Sequence, residues 1–532
     1  MAAPSSSEIV SALLYPSNWW SGTTVTYSIP GPQSQWPGYG PDGEPSDAHY
    51  ASLNAAQSLR FAAAVNTLDQ VLNLSLVQVS DQGQIRVGFT DVADFKFAGF
   101  WGYTTPAPGG GSAGSDRNGD IWIDYGKAAS SFAPNSYDFM AMIHELGHAL
   151  GLKHPFEDGS ALPKDYDNYR YTVMSYTAYT DNVWRTVEPT ATGVRTVVEA
   201  IYPTTPMVFD IAALQSRYGA DPATAAGNST YTFSQSTPFM QALYDSGGVD
   251  TIDLSAHTRG SMVDLTPGAY SSIAYYSASA QAAYWTNQYG WAATFMSQQF
   301  NQASTYTWSN NLGIAFGTVI ENVAGSAGAD TVTGNDAANS LSGAIGDDSL
   351  SGLAGDDVLR GGDGGDTLLG GDGFDDLNGN TGDDTASGGA GSDWVVGGQN
   401  NDRLAGDDGD DIVYGNLGND TCDGGVGNDL IRGGQGDDSL SGGTGSDWLS
   451  GDRGADTISG GAGADTFHSA AGAGLDRVLD FRLGEGDRVQ LDPGVIFSVV
   501  QQGADTVVDL GAGDQLVLVG VSMTSLTGAW IS

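Results

Sequence analysis

The chain has 532 residues, enough for more than one domain, and its 63 acidic and 19 basic side chains give a formal net charge of −44. This charge argues against binding nucleic acid, which requires cationic contacts to phosphates. It suits a calcium-binding protein, because Ca²⁺ takes oxygen ligands and carboxylates above all; the alternative is an acidic surface that only keeps the protein soluble. No segment is long and apolar enough to predict a transmembrane segment.

The N-terminal part of the chain predicts an irregular arm, because residues 1–45 are rich in Pro, Gly, Ser and Trp, with one strand at 24–29. Its first residues have neither a basic region nor an apolar core, so we expect no N-terminal secretory signal.

The single cysteine, Cys422, excludes an intrachain disulfide and fits a small buried apolar residue. Hydrophobic periodicity then predicts these elements: a helix between about 46 and 74, strands at 84–90 and 119–124, and a helix at about 136–152.

The segment HELGHALGLKH contains three of the six histidines of the chain within eleven residues. His144 and His148 are four apart, so on a helix they share one face and can bind one metal ion. Glu145 lies on the same turn and can accept a proton from the attacking water. Gly151 is a natural helix stop, after which the chain can fold back and deliver His154 as a third ligand. The alternative, a helix with surface histidines, does not explain the third histidine.

A second motif, YTVMSY, follows at residues 171–176. Together, HExxHxxGxxHP and this M-S-Y turn resemble the serralysin-type zinc metalloproteases, a metzincin family with C-terminal RTX calcium-binding repeats. The resemblance implies one catalytic Zn²⁺, bound by the three histidines and by Tyr176. Tyr176 would swing away during catalysis and stabilise the transition state, above a floor formed by Met174. Taken alone, Met174 would be an ordinary core residue and Tyr176 a packed aromatic.

The resemblance also predicts where a substrate would bind. In metzincins the strand before the zinc helix is often the sheet edge that pairs with the substrate, and such pairing uses main-chain hydrogen bonds. We therefore assign substrate binding to Ile121, Trp122 and Ile123, with an internal strand as the alternative.

Residues 325–468 divide into sixteen consecutive nonapeptides of the pattern G-G-x-G-x-D-x-U-x, where U is apolar. Such a fixed period predicts a solenoid rather than a disordered acidic linker, with tight glycine turns and the U residues inside. Two repeats would form one turn, and without calcium the stacked carboxylates should leave the array disordered. The sixth position, which would bind several structural Ca²⁺ ions, is Asn339 once and otherwise aspartate: Asp330, Asp348, Asp357, Asp366, Asp375, Asp384, Asp393, Asp402, Asp411, Asp420, Asp429, Asp438, Asp447, Asp456 and Asp465.

A few repeats depart from the pattern. Ala386 and Cys422 are weak fillers of the apolar position, and Asn400 replaces the fourth-position glycine. Asparagine tolerates a positive φ better than most residues, so we expect the turn at Asn400 to persist. These departures put individual ion sites in doubt and leave the roll as predicted.

The predicted fold class is an α+β metzincin protease domain followed by an all-β domain, a parallel β-roll of repeats plus a β-sandwich. An aromatic-rich insertion at about 270–310 either packs within the protein or contacts a partner. The predicted domains are an arm at 1–45 that serves either as a short pro-segment or as a retained part, a zinc metalloprotease domain at 46–219, a linker and first β part at 220–324, an RTX roll at 325–468, and a β-sandwich with a secretion signal at 469–532.

These features predict a secreted, extracellular, calcium-stabilised zinc endopeptidase with Glu145 as the general base. Its expected partners are protein or peptide substrates and a type I secretion apparatus. Attachment to a cell surface or to a calcium-dependent surface-layer protein stays open. One alternative is a surface-layer or adhesion protein whose protease domain is vestigial. A lipase would need a G-x-S-x-G nucleophile elbow between a strand and a helix, and we find none.

Overall fold

The computed structural model describes residues 3–31, 50–90, 102–104, 118–157 and 159–532. The domain boundary predicted near residue 46 lies outside the described residues, and the predicted domain division stays a prediction. Chain contacts define two compact units, each consisting of three segments. The first unit comprises Met1–Asn228, Ser234–Gly248 and Pro267–Thr318, and the second comprises Ser229–Phe233, Val249–Thr266 and Val319–Ser532.

All α-helices of the described residues lie in the first unit: α1 (Ser6–Leu13), α2 (Ala55–Asp69), α3 (Tyr137–Ala149), α4 (Val208–Tyr218), α5 (Ala278–Gln288) and α6 (Ala293–Phe300). The helix predicted between 46 and 74 is shorter, because Asn54 and Gln57 form a capping box that starts it at Ala55. None of the helices in the described ranges combines the length and the apolar character required to cross a lipid bilayer.

The short strands before the repeat array are β1 (Thr24–Ser28), β2 (Ser75–Gln78), β3 (Ile85–Thr90), β4 (Gly102–Thr104), β5 (Ile121–Asp124), β6 (Val183–Thr190), β7 (Gly193–Ala200), β8 (Thr230–Thr232), β9 (Gln241–Leu243), β10 (Thr251–Asp253), β11 (Met262–Asp264), β12 (Tyr270–Ser271), β13 (Leu312–Ile314) and β14 (Asn322–Ala324), and β15 (Thr331–Thr333) is the first strand of the array. The strand predicted at 24–29 is β1, and those predicted at 84–90 and 119–124 are β3 and β5.

The main sheet of the first unit has the strand order β2-β1-β3-β5-β4. Its first four strands are parallel, and β4 pairs antiparallel with β5. β5 therefore has a neighbour on each side, and Ile121, Trp122 and Ile123 are at most 1% exposed. This corrects the prediction that these three residues form the substrate-pairing edge, because their main-chain groups already serve the sheet. Within the described ranges the edge beside β5 is β4.

The aromatic-rich segment predicted as an insertion forms part of the first unit. Its helices α5 and α6 pack on the hairpin of β6 and β7, with Val187, Ala282, Met296 and Phe300 in a shared apolar cluster. At the same time Val183 donates its N–H to the carbonyl of Ser304. The segment and the β6–β7 hairpin thus share a small apolar core. The role of the segment stays a prediction.

The second unit consists mainly of two long sheets. The strands of the array that follow β15 are β16 (Ser340–Ile345), β17 (Ser349–Ala354), β18 (Val358–Asp363), β19 (Thr367–Asp372), β20 (Asp376–Thr381), β21 (Thr385–Ala390), β22 (Trp394–Gln399), β23 (Arg403–Asp408), β24 (Ile412–Leu417), β25 (Thr421–Val426), β26 (Leu430–Gln435), β27 (Ser439–Thr444), β28 (Trp448–Arg453), β29 (Thr457–Ala462) and β30 (Thr466–Ser469). After them come β31 (Leu475–Val478), β32 (Arg488–Leu491), β33 (Ser498–Gln502), β34 (Asp505–Gly511) and β35 (Asp514–Leu518).

The array is the parallel β-roll that the repeats predict. Even-numbered and odd-numbered strands occupy different sheets, and each strand pairs in parallel with the strand two positions later, so that Leu341 is opposite Leu359. Two repeats therefore make one turn. The apolar U residues of all sixteen repeats are at most 2% exposed, Ala386 and Cys422 included. The final strands continue the same sheets, β32 in one and β31, β33, β34 and β35 in the other.

Candidate metal centres

Helix α3 places the first two histidines of the motif. It begins after Ser136, whose hydroxyl accepts the N–H of Phe139 at 3.2 Å, and Asp138 lies in its first turn. Both features stabilise a helix N-terminus. His144 and His148 then fall one turn apart, with their ring centroids separated by 4.7 Å. The helix thus supplies two imidazoles on one face.

Gly151 turns the chain back towards this face. Its φ is +101°, and a Cβ on Gly151 would lie 2.4 Å from the carbonyl oxygen of Asn18, so that only glycine fits. The N–H of Leu152 closes the turn on the carbonyl of Gly147 at 2.9 Å. As a result, the Nε2 atoms of His148 and His154 lie 3.1 Å apart.

The three imidazoles are held with their Nε2 atoms converging. The Nδ1 atom of His144 contacts the carbonyl of Val173 at 2.7 Å, and that of His148 contacts the carbonyl of Leu152 at 2.8 Å. The Nδ1 atom of His154 bonds the carboxylate of Glu157. Each Nδ1 therefore carries its proton, which leaves the Nε2 lone pairs for a metal ion. One ligand atom from each histidine lies within 4.8 Å of the others, so this donor set fits Zn²⁺.

The environment keeps His144 and His148 neutral. Burial lowers the pKa of His144 well below its ordinary value and lowers that of His148 to about 4. Neutral imidazole is the form that binds metal. Glu157, which bonds His154, is itself held in place, because the hydroxyl of Tyr15 donates to its second carboxylate oxygen at 3.1 Å.

Tyr176 and Met174 lie beside the histidines, as the resemblance implies. The hydroxyl of Tyr176 is 2.6 Å from Nε2 of His154, and half of the Tyr176 side chain is exposed. Burial of its hydroxyl, together with the carboxylate of Glu145, raises the pKa of Tyr176, so the phenol stays protonated. Met174 is fully buried, and a Cβ on Gly147 would approach its Sδ to 2.8 Å. The turn and α3 are therefore in close contact.

Glu145 faces the end of the main sheet. The hydroxyl of Thr104, on the edge strand β4, lies 2.7 Å from Oε2 of Glu145 and 3.1 Å from its main-chain carbonyl. Burial raises the pKa of Glu145 to about 7, and the bond from Thr104 opposes this rise. A carboxyl group that titrates near neutral pH can both take and return a proton. Sequence reasoning missed Thr104, because no local pattern connects β4 to α3.

In the second unit the sixth-position aspartates form two ladders with a period of eighteen residues. The N–H of Asp348 donates to Oδ1 of Asp366 at 2.8 Å, and the N–H of Asp366 donates to Oδ1 of Asp384 at 2.8 Å. One oxygen of each carboxylate thus joins successive turns of the roll. The sequence predicted that these side chains bind Ca²⁺, but it did not indicate this stacking role.

The other oxygen of these aspartates is buried without a hydrogen-bond partner. This holds for thirteen of them: Asp348, Asp357, Asp366, Asp375, Asp384, Asp393, Asp402, Asp411, Asp420, Asp429, Asp438, Asp447 and Asp456. A buried carboxylate oxygen without a partner is costly, and a hard cation satisfies it. Burial also raises the pKa of these carboxyls, to about 7 for Asp393, Asp402, Asp429 and Asp438. These oxygens therefore fit Ca²⁺.

The first of the predicted aspartates differs. Asp330 accepts the N–H groups of Ser261 and Ser326 with separate oxygens, so its carboxylate is occupied by the main chain. Asn339 takes the aspartate place by accepting the N–H of Asn335 at 2.8 Å. Asn400 has a φ of +78°, as expected for a substitute of the fourth-position glycine. The irregular repeats thus keep the fold with altered ligand sets.

Comparisons with known protein families and proteins agree with this geometry. The family of the RTX calcium-binding nonapeptide repeat matches eight overlapping windows between residues 317 and 475. Serralysin of Proteus mirabilis is 28% identical over 279 residues, which cover 47% of this chain and 53% of that protein. The metallopeptidase AprA of Pseudomonas marginalis is 28% identical over 250 residues, with 42% and 49% covered. Serralysin C of Dickeya chrysanthemi is 29% identical over 259 residues, with 44% and 50% covered.

Fold and sites thus define a two-part protein, with a histidine cluster that fits a metal ion in an α/β unit and a β-roll of calcium-binding repeats. The chain spans about half the length of the curated relatives it matches. These relatives confirm the resemblance to the serralysin-type metalloproteases that the two motifs predict.

Proposed function

We propose that this protein is a secreted, calcium-stabilised zinc endopeptidase. The observation that carries the proposal is the convergence of His144, His148 and His154 beside Glu145 and Tyr176. Zinc bound by these residues would polarise the scissile carbonyl and acidify the attacking water. The buried, Nδ1-anchored imidazoles are what a tightly bound catalytic metal requires.

The chain's own residues supply the proton transfers. Glu145 accepts the proton of the attacking water and delivers it to the nitrogen of the leaving amine. Its burial favours this exchange, because the protonated and ionised forms are close in free energy near pH 7. The protonated hydroxyl of Tyr176 is exposed enough to reach the substrate and can donate to the oxygen that gains negative charge.

We assign the orientation of the substrate to β4. Within the described ranges this strand has a neighbour on one side only, and its Thr104 contacts Glu145 directly. A peptide added along β4 would make main-chain hydrogen bonds next to the general base, whatever its side chains are. This places the substrate edge one strand beyond the residues that the sequence indicated.

The roll would bind several structural Ca²⁺ ions, and folding would follow their binding. We propose type I secretion and an extracellular location, because calcium is abundant there and this array needs it. Protein or peptide substrates are the proposed partners. A cell-surface or surface-layer partner stays a proposal for a calcium-dependent pull-down.

The first test is casein hydrolysis by the purified chain, folded with calcium and loaded with zinc, beside Glu145→Gln. Glu188→Gln is the matched control, because Glu188 is an exposed glutamate paired with Arg195 on the β6–β7 hairpin. We expect Glu145→Gln to lose at least about 100-fold in kcat, the usual size of a general base effect, and to bind zinc as the parent does. Full activity in Glu145→Gln would reject the mechanism. A zinc-loaded parent without activity would favour a surface-layer or adhesion role.

A further inference from the structure

Asp210 is a fully buried carboxylate near the start of α4, and the zinc ligands of the motif do not include it. Its Oδ2 accepts the N–H of Met207, the residue that caps the helix, at 2.9 Å. An acidic side chain at this position stabilises a helix N-terminus. Capping alone would occupy only one of the carboxylate's hydrogen bonds.

Two more hydrogen bonds connect Asp210 to the turn beneath the histidines. The N–H of Val173 donates to Oδ2 at 2.8 Å, and the hydroxyl of Thr172 donates to Oδ1 at 2.6 Å. The Thr172 oxygen in turn accepts the N–H of Met174 at 3.0 Å. Asp210 thus fixes three consecutive residues of the turn, directly or through one hydroxyl.

The turn leads to the first histidine. The peptide plane after Val173 presents its carbonyl to Nδ1 of His144 at 2.7 Å. The orientation of this carbonyl decides which nitrogen of His144 carries the proton and where its Nε2 points. A rotation of the turn would therefore change the metal site without moving α3.

We propose that Asp210 is a positioning residue for the metal centre, which it acts on through Thr172, Val173 and the Nδ1–H of His144. The inference rests on the proposed zinc site and goes beyond the sequence motifs, since Asp210 lies 56 residues after His154 in the chain. A residue that only caps α4 would affect stability and leave the metal unaffected.

The test compares zinc affinity, the visible spectrum of the Co²⁺-substituted protein and the melting temperature in the calcium-loaded full chain. Zinc affinity is measured by competition with a chromophoric chelator. Asp210→Ala should weaken zinc binding about 10- to 100-fold, the usual effect of removing an outer-shell partner of a metal ligand, and should change the Co²⁺ spectrum.

Asp210→Asn should recover most of the affinity, because its amide oxygen can accept both N–H groups while its NH₂ faces Thr172. Asp69→Asn is the matched control, since Asp69 also accepts a main-chain N–H, from Leu76 at 2.5 Å, outside the turn.

The proposal is overturned if Asp210→Ala lowers the melting temperature while its zinc affinity and Co²⁺ spectrum equal those of the parent. Should Asp210→Ala fail to fold, Asp210→Leu decides, because leucine fills the space of the carboxylate but accepts no hydrogen bond from Val173 or Thr172. Parental zinc affinity and an unchanged spectrum in Asp210→Leu would then reject the proposal. Since no substrate enters these measurements, a parent that binds zinc but cleaves nothing rejects the proposed function and leaves this inference testable.

Discussion

The proposed zinc site and the calcium-binding roll are built in opposite ways. In the histidine site the supporting contacts come from distant segments, such as Tyr15 to Glu157 and Thr104 to Glu145. In the roll each carboxylate contacts the residue eighteen positions away, and the same contact repeats along the array. The carboxylate contacts of the roll depend on the repeat period and on bound Ca²⁺, whereas the histidine site depends on contacts from the rest of the first unit. The two should therefore respond differently to the same kind of perturbation.

Removal of calcium should have the largest effect, and it should affect the roll. With zinc kept present, withdrawal of calcium leaves buried carboxylates close together without a cation, so we expect the array to unfold. Far-UV circular dichroism measures the loss of β-structure. Cys422, the single thiol of the chain, is 1% exposed and burial raises its pKa, so a thiol reagent should react with it only after calcium is withdrawn.

Readdition provides the control for this experiment. Ca²⁺ should restore protection of Cys422, and Mg²⁺ should not, because Mg²⁺ keeps its own water ligands and demands a stricter geometry. A thiol that stays protected in calcium-free protein would show that hydrophobic stacking alone holds the roll, and the contrast between the two regions would weaken.

A single glycine should have the next largest effect. A Cβ on Gly361 would lie 2.2 Å from Oδ2 of Asp366, so Gly361→Ala must displace the carboxylate from its place. Overpacking of this kind costs about 1–3 kcal/mol, which corresponds to a fall of about 3 to 10 °C in the melting temperature. The measurement is calorimetry with calcium present.

Gly365→Ala, four residues later in the same repeat, is the matched variant. Its Cβ would have no contact closer than 3.3 Å, to the carbonyl of Asp383, so we expect a far smaller shift. Equal shifts for the two variants would mean that the approach of the carboxylate does not explain the first-position glycine.

The smallest predicted effect concerns the support of Glu145. Thr104→Val removes the hydroxyl that contacts the carboxylate, and a typical intramolecular hydrogen bond contributes about 0.5–1.5 kcal/mol net. We expect kcat to fall by roughly tenfold with zinc affinity unchanged, because none of the zinc ligands bonds Thr104. Thr104→Ser keeps the hydroxyl and should retain most of the activity. Parental kcat in Thr104→Val would show that α3 alone positions the general base.

The sequence predicted the part of the site that is determined locally and missed the part that depends on how strands pair in space. The eleven-residue motif was sufficient to predict that His144, His148 and His154 lie together, because helix geometry and Gly151 fix their arrangement locally. The prediction for the substrate edge was wrong at Ile121–Ile123, because an antiparallel strand, β4, pairs beyond β5. Nothing in the residues of β5 indicates that such a strand follows in space, since buried internal and edge strands can have the same composition.

The sequence by itself determined the histidine cluster, the parallel roll, its two repeats per turn and its buried apolar positions, because each follows from spacing within a few turns of chain. Only the tertiary structure decided that Thr104 contacts Glu145, that Asp210 fixes the turn beside His144, and that one oxygen of each repeat aspartate joins successive turns of the roll. Such contacts join residues far apart in the chain, and their partners are chosen by how strands and helices pack. No local pattern of residues encodes that choice.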